Sequence, residues 1–212
     1  MTVLFANTAT AQVPVKNEPR HHPVFENKYI RLLDVHLPPG DTTRYHIHAT
    51  PSVFVILSNT VTASQIKGEE WSTAAPALGN VWYRSFYPDT LVHRVCNTDS
   101  VEFHVNDIEI LSFYDSAHVV TYKPLSFPVL FNNERVAAYR ITKPSELNST
   151  ISSRGPIIIE LVTGKGLMYQ DVATNQKMPL TAGKYTYVKP GTSFRLTGNQ
   201  TSDINLVIFE FK

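Results

Sequence analysis

Short runs of apolar and β-branched residues, broken every few positions by turn-forming residues, dominate this chain. Segments rich in Val, Ile, Phe, Tyr and Thr run from Tyr29 to Leu37, Ser52 to Leu57, Val101 to Ser112, Ile157 to Val162 and Asn205 to Phe211, with clusters of Pro, Gly, Asn and Asp between them. No segment carries an apolar stripe through three helical turns. Short strands at this spacing predict an all-β protein built as a sandwich or barrel.

The pattern also repeats. Phe25-Glu-Asn-Lys-Tyr-Ile-Arg-Leu-Leu-Asp-Val-His-Leu-Pro38 matches Phe131-Asn-Asn-Glu-Arg-Val-Ala-Ala-Tyr-Arg-Ile-Thr-Lys-Pro144, and farther on His93-Arg-Val-Cys-Asn97 matches Arg195-Leu-Thr-Gly-Asn199. Two pairings in the same order at nearly the same shift predict a duplication. One barrel is expected at residues 20–115 and a second at 129–212, with a linker at 116–128 that includes Pro124 and Pro128. Residues 1–19 are expected to be disordered or the remnant of a secretion signal. Val3-Leu4-Phe5-Ala6 leads into Ala9-Thr10-Ala11 before Gln12, the small-x-small form of a signal-peptidase site, although a charged n-region is missing and the apolar run is short. On that reading the protein is periplasmic or secreted; otherwise it is cytoplasmic.

Composition narrows the function classes. With 212 residues, 42% of them hydrophobic, the chain can bury a real core without disulfides or metals merely to fold. Lys and Arg total 19 against 18 for Asp and Glu, and no basic stripe gathers, so nucleic acid and anionic membrane are poor partners. The single cysteine, Cys96, excludes a disulfide framework and a Cys-rich metal site. No nucleophile elbow, phosphate loop or His-Glu-x-x-His helix is present. A small molecule is the expected partner.

The candidate chemistry lies in Gly40-Asp-Thr-Thr-Arg-Tyr-His46-Ile-His48 and Pro88-Asp-Thr-Leu-Val-His93-Arg-Val-Cys-Asn97. Two histidines two residues apart share one face of a strand, and a third from a later strand can close a metal site. Both segments fit the two motifs of the cupin superfamily: Gly, five residues and His-x-His, then Pro-x-x-x-x-His-x-x-x-Asn. With the repeat, the chain resembles a bicupin over all but its first residues. The resemblance implies two tandem cupin-type jelly-roll β-barrels and a mononuclear divalent transition metal on His46, His48 and His93. Iron comes first, with Mn, Ni, Zn or Cu as alternatives.

The chain departs from the family pattern at one ligand. Four-ligand cupins carry a Glu four or five residues after the second His, where this sequence has Ser52 and Val53. A three-His site resembles those of thiol dioxygenases and some diketone-cleaving dioxygenases, which implies oxygen-dependent oxidation of a small organic molecule. Without the carboxylate a divalent ion keeps its full charge and favours an anionic substrate. In the second copy Ser152 and Arg154 fall on the two motif histidines and Arg195 falls on the third, and guanidiniums cannot hold a cation. Two further readings stay open: a non-catalytic barrel for a small or sugar-like ligand, and a metal-free isomerase or epimerase with His as base.

Around the motif, Arg44 shares strand parity with His46 and His48 and is expected to point inward, as a bidentate clamp on a substrate carboxylate or as a rim ion pair. Trp82 and Tyr83, with Phe86 and Tyr87, either line an apolar substrate pocket or fill the barrel core. Glu102 with His104, and Asp107 with Glu109, are read as strand-edge or solvated groups. His21, His22, His36 and His118 show no spacing that links them to the motif. Exposed barrel edges favour a homodimer, unless the fused second copy covers them within a monomer.

Overall fold

The computed structural model describes residues 12–114, 123–147, 149–152, 155–198 and 203–212. The chain divides into two compact units, one running through Glu26 and then Arg31–Glu109, the other formed by Asn27–Ile30 and Ile110–Lys212.

Ten strands build the first unit: β1 (Val13–Pro14), β2 (His21–Glu26), β3 (Ile30–Leu37), β4 (His46–His48), β5 (Ser52–Ile56), β6 (Thr62–Ile66), β7 (Trp71–Ala74), β8 (Val81–Arg84), β9 (Leu91–Asn97) and β10 (Phe103–Ile110). They form two sheets, ordered β1-β4-β9-β6-β7 and β2-β3-β10-β5-β8. The inward residues Leu33, Val35, Leu37, Phe54, Ile56, Phe103 and Val105 of the second sheet make the core, with Val15 and Phe86 packed among them. The second unit contains β11 (Val129–Asn132), β12 (Val136–Ile141), β13 (Thr150–Ser152), β14 (Ile157–Thr163), β15 (Leu167–Asp171), β16 (Lys177–Pro179), β17 (Lys184–Val188), β18 (Ser193–Gly198) and β19 (Asn205–Phe211). Its sheets run β11-β12-β19-β14-β17 and β13-β18-β15-β16, the same sequential order as in the first unit with one edge strand fewer. The architecture is two tandem jelly-roll barrels, and all five strand segments read from the sequence lie in it.

Three boundaries differ from the sequence reading. Residues 12–19 are not disordered: Val13 and Pro14 pair in parallel with His46 and Ile47, and Val15 is buried. The alternating Val13-Pro14-Val15 supplies an edge strand and an apolar anchor where composition alone suggested a polar tail. Residues Asn27–Ile30 belong with the second unit, where Leu111 and Ser112 donate to the Tyr29 carbonyl. The far end of the expected linker also packs into that unit, with Phe127 buried in its core. The signal-like run at residues 3–11 lies outside the described residues.

What positions the site is the turn that opens β4. Gly40 adopts φ +76°, a conformation suited to glycine, and its N–H donates to the Asn97 carbonyl at 3.0 Å. The Asn97 N–H donates back to Asp41 O at 2.9 Å. Inside this clasp the fully buried Asn97 side chain donates to Leu37 O and Val101 O, both at 2.8 Å, while its Oδ1 accepts from Asp99 N at 2.9 Å. The motif's Gly and Asn therefore meet, and together they pin β9 to the strand entry. Replacing Asn97 with Ala leaves two buried carbonyls without their donors. The expected cost is about 2–4 kcal/mol of unfolding free energy, measured by urea melts against the parent protein.

Candidate metal centre

The antiparallel pairing of β4 with β9 sets His46 directly opposite His93, with Ile47 against Val92 and His48 against Leu91. Period-two alternation then turns His46 and His48 to the barrel interior and Ile47 away. His46 Nε2 lies 3.2 Å from His48 Nε2, which lies 3.1 Å from His93 Nε2. His46 and His48 are buried, and the His93 ring centre is 4.6 Å from that of His46.

The remaining ring nitrogens of His46 and His93 point outward to hydrogen-bonding partners. His46 Nδ1 lies 2.9 Å from the Arg44 carbonyl, so it carries the proton and leaves Nε2 a lone pair facing the cluster. His93 Nδ1 is 3.1 Å from the Ser64 hydroxyl. His48 Nδ1 faces Asp107 Oδ2 at 3.5 Å. Burial pushes all three imidazoles down, and the neighbouring rings add to it. His46 falls to about 4, His93 to about 3, and His48 falls further. At neutral pH the rings are uncharged, the form that ligates metal.

A fourth imidazole joins them. His21 opens β2, is buried, and offers a ring nitrogen within 4.8 Å of those of His46 and His48. Its ring centre sits 4.6 Å from that of His46. Its Nδ1 is 2.7 Å from Glu18 Oε2, and Glu18 is itself buried and accepts from the backbone N–H groups of Arg20 and Arg44. The sequence reading left His21 unlinked to the motif because no spacing connects them. Its one local signal is the Glu18/His21 pair, three residues apart and next to Val13 and Val15.

The donor set fits a first-row divalent ion. At metal–nitrogen distances near 2.05 Å, neighbouring ligands sit about 2.9 Å apart at a right angle and about 3.3 Å apart at a tetrahedral one. The two Nε2–Nε2 separations of 3.1 and 3.2 Å lie within that range. A second group, Asp34, His36 and His104, lies on the outward side of β3 and β10. There the two rings stack at 4.1 Å, nearly parallel, and both aim Nε2 at Asp34 Oδ1, at 3.2 and 2.7 Å. Parallel rings one above the other cannot both hold one ion in plane, so this group is a hydrogen-bonded cluster.

The three motif imidazoles and His21 wall a cavity of about 290 Å³ between the sheets. Its other walls are mainly apolar, with Val35, Leu37, Phe54, Trp82, Phe103 and Val105 among them. Trp82 lines the cavity and stacks on the core residue Phe54 at 4.8 Å. Tyr83 does not line the cavity, because alternation on β8 turns it to the opposite face from Trp82. An adjoining recess shares His48, His93, Phe54 and Trp82, and adds Arg84, Phe86 and Leu91.

Several expectations are corrected here. Arg44 is exposed and absent from the cavity wall. Two residues separate Thr43 from His46 while one separates their partners Val95 and His93, so the chain bulges between them and strand parity does not carry back to Arg44. The cation at the site is Arg84, on the same face of β8 as Trp82. Asp107 and Glu109 are buried rather than solvated. Asp107 lines the cavity, where burial and then Glu109 raise its pKa well above the usual range, while Glu109 accepts from Arg31 at 2.6 Å. In the second unit Ile151 and Phe194, paired across β13 and β18 and both buried, stand where an inward His46–His93 pair would stand. Arg195 is exposed and donates to Thr150 at 2.7 Å, and Ser152 is exposed. The repeat alignment is one residue out of phase there, so the pocket is filled by core rather than by guanidiniums. Arg154 and His118 lie outside the described residues.

No family model and no curated protein matches the sequence. Among solved structures the chain is similar to the cupin 2 conserved barrel domain protein from Leptotrichia buccalis (TM-score 0.58, 11% identity, 90% of this chain and 88% of that one). It is similar to the salicylate 1,2-dioxygenase from Pseudaminobacter salicylatoxidans (TM-score 0.62, 10% identity, 92% and 77%). It is also similar to AerE from Microcystis aeruginosa (TM-score 0.56, 14% identity, 92% and 98%). At these identities the likeness is one of fold, and the fold is that of cupin jelly-roll barrels.

The buried neutral imidazoles make the metal-free protein acid-sensitive. Unfolded histidines take up protons near pH 6.5, whereas His46 and His93 in the folded chain do so only near 4 and 3. Across that window the unfolded state binds more protons, so stability falls as pH falls. Chelator-treated protein is expected to lose stability on the order of a few kcal/mol between about pH 7 and pH 4, read from urea midpoints, and the loss should shrink in His46→Gln.

Proposed function

We propose that the chain is a metal-dependent cupin of the bicupin type, with a single divalent metal centre on His46, His48 and His93 in its first barrel, acting on a small organic molecule by oxygen-dependent chemistry. The observation that carries this reading is that His48 Nε2 lies 3.2 Å from His46 Nε2 and 3.1 Å from His93 Nε2, with all three rings on the wall of an apolar cavity. A bound iron supplies Lewis acidity and open positions for substrate and dioxygen.

The chain's own residues do the rest. The Arg44 carbonyl and the Ser64 hydroxyl stand behind the rings of His46 and His93 and hold their ligating nitrogens inward, while the Asp107 carboxyl faces His48 Nδ1 at 3.5 Å. Phe54 and Trp82 give a flat apolar wall that excludes water from the reacting face and suits a planar or hydrocarbon substrate body. Arg84, in the adjoining recess, meets the acidic end that Arg44 was expected to bind. The same burial weighs against a metal-free isomerase, since imidazoles held near 3 to 4 are poor proton acceptors at neutral pH. A non-catalytic barrel that holds the same ligand unchanged differs from this reading only in turnover.

Metal analysis by mass spectrometry tests the reading. The purified protein, reconstituted with Fe(II) under anaerobic conditions, is expected to hold close to one ion per chain, and His48→Ala to hold almost none. Failure of the parent protein to retain any divalent ion after reconstitution would sink the metalloprotein reading and move the weight to a ligand-binding barrel.

A further inference from the structure

We propose that His21 is a fourth nitrogen ligand of this centre, held in place by Glu18, and that the pair stands in for the acidic ligand absent at Ser52 and Val53; this rests on the metal-binding reading above. The motif positions themselves offer no substitute. Ser52 is buried with its hydroxyl donating to Thr50 O at 3.1 Å, and Val53 is apolar. The acidic group arrives from elsewhere in the chain. Glu18 is 2% exposed and His21 8%, on a segment where burying a carboxylate and an imidazole is costly unless both are used.

The arrangement has the form of a ligand and its support. A carboxylate on Nδ1 at 2.7 Å fixes the tautomer and leaves Nε2 with its lone pair available. The carboxylate cannot drift, because its two oxygens also accept from Arg20 N at 2.7 Å and Arg44 N at 3.1 Å. One His21 ring nitrogen lies within 4.8 Å of a ring nitrogen of His46 and of His48, and the His21 ring centre is 4.6 Å from that of His46. Reaching a ligand separation of about 3.3 Å needs a movement of at most ~1.5 Å. The segment is tied to the site on its other side as well, through the pairing of Val13 with His46. The negative charge that the usual glutamate would bring is thus retained farther out, behind an imidazole instead of on the ion.

Two consequences separate this from a merely structural Glu–His pair. The ion sees four imidazoles instead of three, and the segment from β1 to His21 is stapled to the barrel by the metal. The test is long-range ¹⁵N–¹H correlation NMR of the histidine rings in the full chain, before and after one equivalent of Zn(II). The expected result is that the Nε2 signals of His21, His46, His48 and His93 all move to the metal-bound position. His21→Gln should remove one of them and weaken zinc about 10- to 100-fold, and Glu18→Gln should weaken it by a similar factor. Thermal melts without metal identify any variant that has lost its fold, in which case the parent spectrum alone decides. If His46, His48 and His93 move while His21 stays where it was, the fourth-ligand assignment is overturned and the three-His centre stands. If no histidine signal moves even in excess zinc, the metal-binding reading falls, and this inference with it.

Discussion

Everything at the candidate centre depends on one register, the pairing that sets His46 opposite His93. A slip of one residue on either strand would turn its histidines out of the barrel, because side chains alternate with period two. Three short residues of β4 cannot hold a register alone. The register is held upstream, where Gly40 and Asn97 exchange backbone hydrogen bonds with each other's neighbourhood and Thr43 clamps Val95 through both its N–H and its hydroxyl, at 2.9 and 2.8 Å. The spacing of the sequence motif, Gly to His on one strand and His to Asn on the other, is the length of chain between this clasp and the site. The glycine and asparagine are there for geometry, and the histidines for chemistry.

That geometry creates an electrostatic problem which the surroundings resolve. Gathering imidazoles in a buried pocket is tolerable only while they are uncharged, and burial keeps them so. Uncharged rings keep the lone pairs that ligation requires. Carboxyl groups stand behind two of the rings, Glu18 at His21 and Asp107 at His48, at 2.7 and 3.5 Å. Burial opposes the charge on Glu18, but hydrogen bonds from His21, Arg44 and Arg20 together outweigh it and hold the anion. Asp107 is driven toward the neutral acid by burial and by the nearby Glu109. The two supports therefore differ in charge, and the negative end of the site lies on the N-terminal side.

How much of this was readable from the sequence depends on where water is excluded. The five segments seen as strands are β3, β5, β10, β14 and β19, and their burial is nearly continuous, which leaves apolar runs such as Val53–Ile56 or Ile157–Ile159. Strands of the opposing sheets, among them β7 with every residue exposed and β16 likewise, carry little hydrophobic signal. Yet the histidines sit on the opposing sheet, and they were legible because ligand spacing is a chemical signal independent of hydropathy. What escaped was whatever depended on tertiary placement. His21 comes from a different strand, Arg44 was misplaced by a bulge that no local pattern announces, and Asp107 looked solvated because its companions on β10 were read as a charged edge.

The second barrel shows that frame and site are separable. It repeats the strand order of the first, and its β13–β18 pair occupies the place of β4–β9, yet the inward pair there is Ile151 and Phe194. Filling that position with an aliphatic and an aromatic side chain joins the wall to the core formed by Leu167, Tyr169 and Leu196, and no desolvation of polar groups has to be offset. The first barrel does the opposite, keeping polar nitrogens and an open cavity where packing would otherwise add stability. The same strand order thus carries a packed aliphatic–aromatic pair in one barrel and a nitrogen-lined cavity in the other.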